Sequence, residues 1–271
     1  MKNRLKIAAY LLLLSFGLMV VGMSCEKEIE TMTLPPAESL VIDWSAFPNN
    51  GTKSAEEAEL TKVNWFNSAA TIFVWNTVVA ANMAIPTVAY AAAFNNAPVY
   101  LGDNTWEWSY SVTHKERTFI AQLTGARIDK NTFSMEMVLS EAGGFGEFKW
   151  FEGVIRYDRT EANWILRRSP DKPDDYLEIA YDKSLETGIK NIRYTVIDPQ
   201  DSLYNGYVEF GIDPELDLDA HYTISGGDNT TQIEWSTLNK MGRVMSQDLF
   251  GDANWHCWDS ELNDVDCRVA E

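Results

Sequence analysis

This 271-residue sequence predicts a mainly β, α+β fold. Ten short runs rich in aromatic and β-branched residues follow one another from Trp106 to Ser236, separated by polar or Gly/Pro breaks. Before them, no charged residue occurs between Lys62 and Asp103, a stretch with helical rather than strand-like composition. No repeat of fixed period is present, which argues against a solenoid or propeller. The expected architecture is an antiparallel up-and-down meander of about ten strands, closing as a barrel or a strongly curved sheet, with one long apolar N-terminal helix packed on or in it.

The first 24 residues are expected to be a secretion signal and not part of the fold. A basic start (Lys2, Arg4, Lys6) precedes an apolar run from Ile7 to Val21, and Gly22 and Ser24 stand before Cys25. The apolar run is shorter than the roughly 20 residues that span a bilayer as a helix. The segment resembles a bacterial lipoprotein (type II) signal peptide, with Gly22-Met23-Ser24-Cys25 as lipobox, although Met23 departs from the usual small or aliphatic pattern. The acidic Glu26-Lys27-Glu28 that follows is similar to the start of surface lipoproteins of the Bacteroidota. The resemblance implies lipidation of Cys25 by palmitate-type acyl chains and attachment to the outer membrane or cell surface. Cleavage would remove three positive charges and no negative ones, taking the net charge from −18 to −21. Attraction of a basic patch to anionic lipid would then not be the anchor. Nucleic-acid binding through a basic surface is excluded by the same charge.

Residues 25–53 read as a tether, broken by Pro35-Pro36, Pro48 and Asn49-Asn50-Gly51, with Val41, Ile42 and Trp44 docking as a short strand. Residues 54–271 read as a single β-rich domain. Its helix, over 55–94, is expected to start in the capping box Ser54-Ala55-Glu56-Glu57 and to be ended or kinked at Pro86. A helix apolar on nearly all sides is expected to be enclosed by the sheet.

Among the strands, Trp106, Trp108, Tyr110 and Val112 alternate with Glu107, Ser109, Ser111 and Thr113, which gives one buried and one wet face. Asp129-Lys130-Asn131 and Ala142-Gly143-Gly144 carry hairpin-turn chemistry. Once Cys25 is assigned to lipid, Cys257 and Cys267 remain as a pair in an oxidising compartment, and a disulfide closing the 257–267 loop is expected.

No G-x-S-x-G, H-E-x-x-H, Walker or G-x-G-x-x-G pattern is present, so nothing nominates an enzyme. Ca²⁺ is the one cofactor the sequence leaves open. Asp259, Glu261, Asn263, Asp264 and Asp266 alternate as in a Ca²⁺ loop, but without its turn glycine or distant bidentate Glu. On an extended strand, Asp213, Glu215, Asp217, Asp219 and His221 would share one face. Trp106, Trp108, Trp150, Trp164 and Trp235 are candidates to line the concave face, as core or as contacts to an apolar ligand. Trp255 and Trp258 flank His256-Cys257 and would pack over the disulfide or stack on a sugar. Asp201-Ser202-Leu203 resembles the tripeptide O-glycosylated at its hydroxyl residue in exported Bacteroidota proteins, which marks Ser202. The sequence thus points to a membrane-anchored, non-enzymatic binding or structural module. A carrier of lipid or another apolar ligand and a surface glycan-binding protein are the alternatives.

Overall fold

The computed structural model describes residues 32–42, 44–48, 62–227 and 229–267. The leader, Cys25 and the Ser54–Glu57 capping box lie outside them. From Leu34 onward the chain forms one compact unit.

Among the described residues, fourteen strands make one sheet, each antiparallel to its neighbour in chain order. The first seven are β1 (Val99–Gly102), β2 (Thr105–His114), β3 (Arg117–Arg127), β4 (Thr132–Glu141), β5 (Phe148–Arg156), β6 (Glu161–Ser169) and β7 (Lys172–Lys183). The remaining seven are β8 (Lys190–Val196), β9 (Tyr207–Ile212), β10 (Ala220–Gly226), β11 (Asn229–Trp235), β12 (Gly242–Ser246), β13 (His256–Trp258) and β14 (Asp264–Val265). The ten predicted runs coincide with β2 to β11. The other four strands are two to five residues long, too short for alternation to stand out in the sequence.

The pleat explains the core. In β4, Phe133, Met135, Met137 and Leu139 are buried, while Thr132, Ser134, Glu136 and Val138 face outward. The β3–β4 turn is fastened by Asp129, whose Oδ1 accepts the amides of Asn131 (2.7 Å) and Thr132 (2.9 Å). A bulge in β5 leaves Trp150 without a cross-strand partner on β4, because Lys149 opposes Val138 and Phe151 opposes Met137. Gly153 lies on the inner face, where a Cβ would collide with the Trp164 ring; only glycine lets that indole lie against the strand.

The sheet does not close as a barrel: β1 and β14 are its two ends. Helix α1 (Val63–Ala93) packs on β2 and β3 near one end and on β12, β13 and β14 at the other. It thereby lies across the β12–β14 end of the sheet while leaving edge strand β1 exposed. The expectation of a helix buried on all sides is corrected here. Asn64, Ser68, Ile72, Val79, Met83, Ala89, Tyr90 and Ala93 form a single buried stripe, whereas Phe73 and Val74 are exposed. Nor does Pro86 end the helix. The 53° bend falls between Val63–Thr77 and Val79–Ala93. Next to the bend Thr77 Oγ1 donates back to the Phe73 carbonyl (2.9 Å), as Ser68 and Thr71 do to Asn64 and Asn67 earlier in the helix. A short second helix, α2, spans Gln247–Phe250.

Candidate functional site

The concave face is the natural place for a ligand, and the chain itself fills it. Residues 34–42 and 44–48, expected to be tether with a short strand, instead run along this face with two 3-10 turns, Ala37–Ser39 and Trp44–Ala46. Leu34, Leu40, Ile42 and Phe47 are buried. An irregular segment in an apolar interior must still satisfy its backbone polar groups, and here aromatic tips do so. Trp164 Nε1 donates to the Ser39 carbonyl (3.0 Å) and Tyr194 Oη to the Leu40 carbonyl (2.7 Å). The Ile42 amide donates to Tyr194 Oη (3.2 Å). Trp235 Nε1 donates to the Ala46 carbonyl (3.0 Å) and Tyr90 Oη to the Pro35 carbonyl (2.8 Å). Phe47 meets Trp235 edge to face, with 5.2 Å between ring centroids.

The strap's polar contact is Glu38, which faces a cleft of about 300 Å³ between the strap and β7–β9. Tyr181 Oη donates to its Oε1 (3.0 Å), and Lys183 and Lys190 approach to 3.4 and 3.8 Å. Burial pushes the Glu38 carboxyl up, but the Tyr181 hydrogen bond and the charges of Lys190 and Lys183 outweigh it, holding the group below its ordinary range.

All five tryptophans nominated for ligand contact are buried: Trp106, Trp108, Trp150, Trp164 and Trp235. Trp164 and Trp235 bind the strap, and Trp150 Nε1 is buried without a hydrogen-bond partner. Trp258 is buried too, with its Nε1 donating to the Lys240 carbonyl (2.8 Å), so it does not form an exposed pair with Trp255, over whose ring Arg243 sits.

Cys257 and Cys267 are joined as a disulfide, and the loop between them is a clasp for α1. Asp264 Oδ2 accepts the Val63 amide (3.0 Å) and Oδ1 the Asn64 amide (2.9 Å). Asn64 Nδ2 donates to the Cys257 carbonyl (2.9 Å), and Lys62 Nζ to the Glu261 carbonyl (3.0 Å). Asp259 Oδ1 is occupied by the amides of Glu261 and Asn263. Among the described residues, no group of three or more His, Cys, Asp or Glu is arranged to hold a metal ion. The second acidic cluster is not an extended face either. Residues 213–219 form the β9–β10 loop, in which Asp213 caps the Glu215 amide and Asp219 accepts the Thr237 amide.

Two further features lie on the outer surface. A groove of about 600 Å³ crosses β3 to β6, lined by Thr124, Ser134, Glu136, Glu152, Asn163 and Ile165 among others. Lys149 bridges its two carboxylates, at 2.6 Å from Glu136 and 3.1 Å from Glu152, and Arg167 adds a third contact at 2.7 Å. The Arg167 hydrogen bond, with Lys149, outweighs burial and holds the Glu152 carboxyl below its ordinary range. Ser202 is exposed in the β8–β9 loop, beside Asp201, which is held by Arg168 at 2.7 Å. Arg168 also stacks on Tyr176, 3.8 Å from the ring centroid.

No protein-family model, curated protein or solved structure matches this chain.

Proposed function

We propose that the protein is an exported lipoprotein, anchored through acylated Cys25 in the outer membrane or at the cell surface, whose β domain is a non-enzymatic binding or structural module. The observation that carries the module reading is the occupied concave face. Where a carrier needs room for its ligand, Trp164, Tyr194 and Trp235 are hydrogen-bonded to Ser39, Leu40 and Ala46 of the same chain. What such a domain offers a partner is its exterior. The address rests on the Lys/Arg–apolar–Ser24-Cys25 leader and on the pairing of the other two cysteines with each other.

Two measurements test this. The intact mass of protein extracted from membranes should correspond to a chain beginning at an acylated Cys25; an unmodified cysteine in the isolated protein overturns the attachment. Native mass spectrometry of gently purified protein should show the acylated chain with no further bound molecule, and an apolar molecule retained non-covalently in repeated preparations would favour the carrier instead.

A further inference from the structure

We infer that the exposed side of α1, together with edge strand β1, lies against the lipid surface to which the chain is tethered. Forty of the chain's side chains are acidic, yet none between Lys62 and Asp103 carries a charge of either sign. Within that interval Phe73, Val74, Phe94, Val99 and Leu101 are exposed, from 49% for Phe94 to 70% for Phe73. Five large apolar side chains facing outward from a charge-free segment call for a cover.

Three observations select the cover. The strap enters the domain beside α1, because the Pro35 carbonyl accepts Tyr90 Oη. Eight residues lie between Cys25 and Leu34, nine steps along the chain, and at full extension a step advances at most about 3.6 Å, so the anchor holds this flank of the domain within roughly 30 Å of the bilayer. A second copy would bring two strongly acidic chains together, whereas a zwitterionic lipid surface accepts an uncharged apolar face without that repulsion. No single described helix is long and apolar enough to cross a membrane, although the two halves of α1 taken together pass by length and composition. Because α1 is packed on the sheet through Ile72, Val79, Met83, Ala89, Tyr90 and Ala93, the contact is one that lies on the surface, made effective by tethering, which raises the local concentration of the face at the lipid.

This inference rests on the attachment proposed above, and one experiment separates the two. Pyrene maleimide is reacted with the full acylated chain carrying Phe73→Cys, Phe94→Cys or, as control, Leu216→Cys, an exposed position on the acidic β9–β10 loop. The proteins are reconstituted in phosphatidylcholine vesicles with and without acyl-brominated phosphatidylcholine. The wild-type chain should take up no label; uptake at Cys25 would refute the acylation. Quenching at positions 73 and 94 should exceed that at 216 at least threefold and should be insensitive to salt. Quenching at both no greater than at 216, or at one alone, overturns a lipid-facing surface of this extent. Pyrene excimer emission in detergent without lipid would assign the face to a second copy.

Discussion

The Asp264 carboxylate receives the backbone amides of Val63 and Asn64, and so caps a helix that begins two hundred residues earlier in the chain. The residue at the cap position, Lys62, makes no side-chain cap bond of its own. The negative charge also sits where the helix presents its positive dipole end.

Replacing Asp264 by Ala should cost about 1 kcal/mol of stability, the ordinary worth of a cap. Asp264→Asn should retain most of it, because an amide oxygen still accepts. Hydrogen exchange of the Val63 and Asn64 amides checks this: both should exchange faster in the Ala variant and stay near wild type in the Asn variant.

The disulfide holds the loop that bears this cap. Cys257→Ser with Cys267→Ser should lower stability by roughly 2–3 kcal/mol on the loop-entropy model. Its effect should be non-additive with Asp264→Ala, since a loosened loop no longer presents the carboxylate. Urea unfolding of the two variants and their combination gives the coupling directly; simple additivity would show the clasp and the staple to be independent.

Gly153→Ala should destabilise by about 1–3 kcal/mol through overpacking against Trp164. Because Trp164 also holds the Ser39 carbonyl, its fluorescence should shift as the strap loosens. An unchanged spectrum and midpoint would mean that the indole has room to move aside.

Trp258→Ala is a core truncation and should cost roughly 3–5 kcal/mol. Glycan binding lost in this variant would therefore report unfolding unless circular dichroism shows the fold intact.

The Glu38 contact gives a pH dependence with a definite sign. Its folded carboxyl titrates below the ordinary value of 4.5. The ionised group thus contributes stability that is present above 4.5 and lost as pH falls through the depressed folded value. Glu38 is half-exposed, so the contribution should be on the order of 0.5 kcal/mol. Glu38→Gln should flatten the part of the stability profile that falls as pH drops below 4.5; a profile parallel to wild type would assign acid sensitivity to other carboxylates.

By itself the sequence determined the meander. Ten runs rich in aromatic and β-branched residues, the alternation from Trp106 to Thr113, and turns such as Asp129-Lys130-Asn131 are local signals that survive whatever the strands pack on. The Cys257–Cys267 pair was legible for a similar reason, since the two lie ten residues apart. The tertiary structure decided what fills the concave face and what the acidic loop does. Nothing local in residues 34–48 marks them as core, because their carbonyls are satisfied by Trp164, Tyr194 and Trp235, more than a hundred residues away. Asp264 likewise reads as one acid among several until α1 is laid across the open end of the sheet, where its orphan amides need an acceptor. The sheet stays open, with α1 packed on strands near both of its ends, a long-range placement that no periodicity in the chain could announce.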